Sequence, residues 1–209
     1  MASALDREKL ARAARALNAG SGRLGLPALI LMTDQTRVSD PVAAARALPR
    51  GSAIVLRHTD AKARTALGRA LVELARAKGL MLLVAGDAQL AAGIGAHGLH
   101  LPEARAREAA HWRALKPSWL ITAAAHSARA VSAARIAGAD AALLAPVFAT
   151  SSHPDRRPLG LSRARLIAAR AGLPVYALGG VNAHTAARIN YSCFAGIAAI
   201  DALLPDQSS

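Results

Sequence analysis

The chain is 209 residues long, enough for one domain with a sizeable core. It is 53% hydrophobic but only 3% aromatic, so that core must be built from Ala, Val, Leu and Ile, and no apolar run approaches the roughly 20 residues of a membrane span. The formal charge of +13 would attract anions, either phosphorylated metabolites or nucleic acid, but the arginines are dispersed and stacking aromatics nearly absent, which favours an Arg-rich surface over a nucleic-acid platform.

The first twenty residues, MASALDREKLARAARALNAG, lack the hydrophobic stretch of a signal peptide and carry Asp6 and Glu8. They predict a helix over 3–18, an addition that would close the floor of the fold. Short aliphatic runs then recur at 28–32, 53–56, 80–84, 98–101, 119–123, 141–144, 174–178 and 196–200. Each is too short for a helix and is bounded by Gly, Pro or polar residues, so each reads as a strand. Between them lie Ala/Arg/Leu-rich stretches with helical spacing, such as 61–78 and 127–137, and a short segment at 88–94. Eight strands alternating with helices predict an α/β fold: a (β/α)8 barrel of the TIM type with an additional N-terminal helix. The expected organisation is a single domain over 1–209, with 1–27 as the helix and its lead-in; a doubly wound open sheet is the competing arrangement. The lone Cys193 excludes an internal disulfide, and with no Cys/His metal spacing a reducing cytoplasm is expected.

In such a barrel the chemistry sits where strands end. The run Leu144 to His153 passes from a buried strand into Thr150, Ser151, Ser152 and His153, and the run VYALGGV ends in Gly179 and Gly180. Hydroxyls donate to phosphate oxygens and glycine lets the backbone approach an anion, so Thr150, Ser152, Gly179 and Gly180 form a candidate phosphate site; the competing reading is an ordinary pair of turns. On a period of two, Val55, Arg57 and Thr59 share a face and His58 takes the other; an arginine in a barrel mouth needs an anion. His126 is placed to move protons, or else to bond a backbone carbonyl, and His100 carries the same two readings. Asp34 either positions a ligand amine or caps the next helix. His97, His111 and His184 read as structural, and the spacing of His58, His100 and His126 is not diagnostic of a metal.

With these residues placed, the chain resembles the thiamine phosphate synthase/TenI superfamily across nearly all of 28–203. The resemblance is carried by Leu31-Met32-Thr33-Asp34, Val55-Leu56-Arg57, Gly95 to Leu101, Ala125-His126-Ser127, Gly138-Ala139-Asp140, Pro146 to Thr150, Leu178 to Val181 and Gly196 to Ile200. It implies a (β/α)8 barrel binding a thiazole phosphate or related small molecule, and a homodimer. It places His153 where synthases carry a Lys and Ile200 in a second phosphate-binding backbone segment, beside Asp201, whose carboxylate would repel the ligand unless it turns away.

The synthase branch joins a pyrimidine diphosphate to a thiazole phosphate with Mg²⁺. Its pattern has Gln and Lys around the arginine, where this chain has Val55 and Thr59. It has metal-binding carboxylates where this chain has Gly86 and Arg105, with Asp87 one place late, and a Ser where this chain has Ala124. The TenI branch shifts a proton in a thiazole carboxylate phosphate and needs no cofactor; His126 matches its functional histidine. The resemblance therefore implies a metal-independent TenI-like tautomerase, with a divergent Mg²⁺-dependent synthase and a non-catalytic phosphate-binding barrel as the other expectations.

Overall fold

The structure is a computed structural model and describes residues 2–22, 25–150, 157–189 and 193–205. Its helices start and stop where the local sequence dictates. α1 (Ala4–Gly20) is capped by Ser3, whose hydroxyl accepts from the Asp6 N–H. β1 (Leu29–Met32) leads to α2 (Pro41–Arg46), which has Asp40 as its cap and Pro41 in its first turn. β2 (Ala53–Leu56) leads to α3 (Ala61–Lys78), capped by Asp60 and ended by the left-handed Gly79. β3 (Met81–Ala85), α4 (Ala88–Gly93) and β4 (Gly98–Leu101) follow, then a 3-10 turn (Glu103–Glu108) and α5 (Ala109–Leu115). β5 (Leu120–Ala125), α6 (Ala128–Ile136) and β6 (Ala141–Leu144) come next. α7 (Leu161–Arg170), β7 (Val175–Ala177), α8 (Ala183–Ile189), β8 (Gly196–Ala199) and a 3-10 turn (Asp201–Leu203) complete the chain.

The eight strands pair in parallel and in sequence order, and β8 returns to β1. This closed barrel is the predicted (β/α)8 fold and excludes the doubly wound open sheet. Alternation along each strand separates two cores. Ile30, Met32, Val55, Leu83, Leu143, Tyr176 and Ala198 fill the barrel, while Leu31, Ile54, Leu56, Leu82, Val84, Leu99 and Ile121 pack outward against the helices. With so few aromatics, Tyr176 carries much of the inner volume, and its hydroxyl donates to the Pro27 carbonyl at 2.7 Å below the strands.

α1 does not close the floor. Only a 3-10 turn follows β8 in the described residues, and α1 fills the gap this leaves in the outer ring, packing on α8, β8 and β1 through Leu10, Ala14 and Leu17. An amphipathic helix has one apolar face, and the exposed flank of β8 and β1 offers it more burial than the strand ends would. Asn18 fixes its lower end by donating to the carbonyls of Leu26 and Ala195 at 3.3 and 3.0 Å. Its upper end, at Ala2 and Asp6, reaches the rim where the strands terminate.

Candidate active site

A cavity of about 870 Å³ opens at the C-terminal ends of the strands. Its floor continues the inward alternation: Met32, Arg57, Ala85, His100, Ala124, Leu178 and Ile200 each stand two residues beyond an inward-facing neighbour. The walls hold His126, Thr150, Gly179, Gly180, Asn182, His184, Arg37 and Asp201. Of the residues singled out in the sequence, Arg57, His100, His126, Thr150, Gly179, Gly180 and Ile200 thus border one space. Ser152 and His153 lie outside the described residues.

Arg57 points where alternation predicts. Its N–H donates to the Thr33 hydroxyl at 3.0 Å, and its guanidinium has neither a hydrogen bond nor an ion pair among the described residues. Its charge is felt on both sides, helping to lower the pKa of Asp34 and of His100. His58, on the opposite face, is buried against Thr33, the two sharing a hydrogen bond of 3.2 Å between Nδ1 and Oγ1. It therefore does not join His100 and His126.

His100 is a buried member of the floor. Its Nδ1 shares a hydrogen bond of 2.9 Å with the Thr122 hydroxyl of the neighbouring strand. Burial, with the nearby positive charge of Arg57, pushes its pKa down to about 4, so it is a neutral ring at physiological pH. His126 is held differently. Its Nδ1–H donates to the Ala145 carbonyl at 2.7 Å, and its backbone N–H donates to the Glu103 carboxylate at 2.8 Å. That carbonyl fixes the proton on Nδ1, leaving Nε2 as the lone-pair nitrogen, with no hydrogen bond among the described residues. The structure thus shows the carbonyl-bonding reading of this histidine, with Nε2 left as an acceptor.

Gly179 and Gly180 have φ of +89° and +65°. A Cβ on Gly179 would stand 2.8 Å from the Pro146 Cα, and one on Gly180 would stand 2.3 Å from the Ala149 carbonyl oxygen. These positions admit only glycine because the turn after β7 lies directly against the loop after β6. The packing is locked by Val147 and Phe148, whose N–H groups donate to the carbonyls of Leu178 and Gly179. The N–H groups of Gly179 and Gly180 take no partner among the described residues and border the cavity. Backbone donors without a Cβ in front of them suit an anion.

Asp34 stands outside the cavity wall. Its Oδ1 accepts from the N–H and hydroxyl of Thr36 and from the N–H of Arg37, so it organises the loop after β1. Burial works against its ionisation, yet these hydrogen bonds and Arg57 bring its pKa below the ordinary value. Asp34 does not cap the next helix, whose cap is Asp40; it holds the loop leading there and does not line the cavity. His184, read as structural from the sequence, instead borders the cavity. Three further features had no local signal: the Glu103 carboxylate on His126, the approach of Ala2 and Asp6 from α1, and an ion pair between Arg37 and Asp201. The last of these turns Asp201 toward a guanidinium.

The ends of β3 and β4 do not fit a divalent metal. Gly86 has φ of +68° and offers no side chain, and its carbonyl accepts from Arg105 Nη1 at 2.7 Å. Arg105 is clamped to both Glu108 oxygens at 2.7 and 2.8 Å. Asp87 caps α4 through the Leu90 N–H and faces Arg64 at 3.7 Å. A hard cation needs several converging oxygens, and here a guanidinium occupies the position instead. Among the described residues no three His, Cys, Asp or Glu side chains gather into a metal site. Nor is any helix long and apolar enough to cross a membrane.

Comparison with known proteins agrees with this architecture. A thiamine-phosphate synthase of Methanoculleus marisnigri is 31% identical over 188 residues, covering 84% of this chain and 87% of its own. The thiamine biosynthesis bifunctional protein ThiM/ThiE of Symbiobacterium thermophilum is 38% identical over 133 residues, 63% of this chain and 28% of that longer one. Among solved structures, the thiamine phosphate pyrophosphorylase of Pyrococcus furiosus superposes with a TM-score of 0.68 at 25% identity, covering 82% of this chain and 84% of that one. The sequence model described as thiamine monophosphate synthase matches residues 29–203, which is the barrel from β1 to its last turn, and the chain belongs to that family.

Proposed function

We propose that the protein acts on a thiazole phosphate by metal-independent proton transfer, as a tautomerase rather than as a synthase. The observation that carries this reading is His126, whose Nδ1–H is committed to the Ala145 carbonyl while its ring borders the cavity. A ring so held can take a proton from one carbon of a bound heterocycle on Nε2 and return it to another. The step needs no leaving group and no metal, consistent with Arg105 and Gly86 standing where carboxylates would be required. The glycine turn after β7 and Thr150 would hold the phosphate, and Arg57 a second anionic group of the ligand, such as a carboxylate.

A synthase reading is favoured by the names of the relatives and by Arg57, whose guanidinium suits a diphosphate equally well. The two separate in one experiment. Purified protein is given the thiazole carboxylate phosphate tautomer and, separately, a pyrimidine diphosphate with thiazole phosphate and Mg²⁺. Isomerisation that disappears in His126→Ala, while thiazole phosphate still binds, is the expected result. Diphosphate release dependent on Mg²⁺ establishes the synthase instead.

A further inference from the structure

Asp201 poses an electrostatic problem. β7 and β8 pair at Tyr176↔Gly196 and Ala177↔Ile197, so the glycine turn and Ile200 leave neighbouring strands at the same end of the barrel, and both border the cavity. The Asp201 side chain follows at once and borders the same cavity as the glycine turn. A carboxylate there opposes any phosphate on the backbone N–H groups of Gly179 and Gly180.

Arg37 answers it. This residue comes from the loop after β1, 164 positions away in sequence, and its guanidinium is ion-paired with the Asp201 carboxylate. The Arg37 side chain is 21% exposed against 53% for Asp201, so the cation is the more buried partner of the pair. The loop that delivers Arg37 is itself held by Asp34, whose Oδ1 accepts from the Arg37 N–H at 3.2 Å. Asp34 therefore serves the cavity at one remove.

We propose that Arg37 is a positioning residue that neutralises Asp201 and so keeps the β7–β8 rim able to accept a phosphate. The proposal rests on the reading of that rim as a phosphate site. Its role differs from direct phosphate binding: the guanidinium is ion-paired with Asp201, and what it provides is the removal of a repulsion.

The test is a double-mutant cycle on the full chain, with inorganic phosphate as probe and binding followed by calorimetry or phosphorus NMR. Unfolding midpoints are recorded for each variant, and Arg37→Gln is carried beside Arg37→Ala as the gentler change. Losing the neutralising charge weakens phosphate by about tenfold, after discounting for the partial exposure of Asp201, and the loss shrinks in high salt. Asp201→Asn alone tightens binding, and Arg37→Ala with Asp201→Asn returns it to within about twofold of the parent. A double variant as weak as Arg37→Ala overturns the proposal, because Arg37 then touches the phosphate itself. So does an Arg37→Ala protein that binds like the parent. Absence of phosphate binding in the parent overturns the rim reading, and the proposal with it.

Discussion

Gly180→Ala tests the join between fold and site. Two costs arise at this position. With φ at +65°, an L-residue pays about 1–2 kcal/mol for the left-handed backbone. The added methyl would also stand 2.3 Å from the Ala149 carbonyl oxygen and 2.7 Å from the Phe148 Cβ, so the loop after β6 must move; overpacking of this kind costs about 1–3 kcal/mol more. Gly138→Ala isolates the first cost, since φ there is +80° and nothing lies within 4 Å of its Cβ. Urea unfolding should therefore place Gly180→Ala about 1–3 kcal/mol below Gly138→Ala. Phosphate affinity should fall in the first variant alone, because only that substitution moves the turn carrying the rim N–H groups. Equal unfolding midpoints for the two variants, with phosphate affinity intact in both, would refute the argument that close approach of the two loops builds the rim.

Other consequences follow from named side chains. Arg57→Ala should leave stability within about 0.5 kcal/mol of the parent, since its guanidinium holds no described partner, while affinity for anionic ligands falls by about 10- to 100-fold in calorimetry, the range for charge-assisted hydrogen bonds. His100 binds its proton at about 4 in the folded chain and near 6.5 in the unfolded one, so the unfolded state takes up more protons between these values. Stability should then fall by about 3 kcal/mol as pH drops from 6.5 to 4, and His100→Asn should flatten that slope in denaturant titrations. Asn18→Ala should cost about 1–3 kcal/mol in urea unfolding, because the buried carbonyl of Ala195 loses its donor and the lower end of α1 loses its anchor.

The barrel was legible because its rules are local. Period-two alternation carried from Val55 to Arg57 placed that guanidinium in the mouth correctly. Helical spacing over 61–78 matched α3 to the residue, with Asp60 and Gly79 as its caps in the structure. The β7 turn announced itself through two glycines that no other residue can replace. What escaped is pairing at a distance. Nothing near Asp201 signals Arg37, and nothing near His126 signals Glu103, because each contact exists only after the barrel closes and sets the loops side by side. Asp34 shows the complementary failure: its residue type and strand-end position suggest a ligand contact or a helix cap, whereas its hydrogen bonds go to Thr36 and Arg37 in the loop and Asp40 caps the helix. α1 was visible as a helix, but its destination depended on the flank of β8 and β1, where only a 3-10 turn follows β8 among the described residues.

Arginines around the rim are mostly spent inside the protein: Arg37 on Asp201, Arg64 on the Ala85 carbonyl and Asp87, Arg105 on Glu108 and the Gly86 carbonyl. Their positive charge fixes loops and cancels carboxylates rather than drawing a ligand. Arg57 is the exception among the described arginines of the cavity wall, a partly buried cation with no hydrogen-bonded anion among the described residues. A group in that state gains most from a ligand that brings the anion with it. Arg57 follows β2 and the glycine turn follows β7, strands separated by β1 and β8 around the ring. On the proposed function, a phosphate-bearing thiazole carboxylate brings negative charge to both ends of that space.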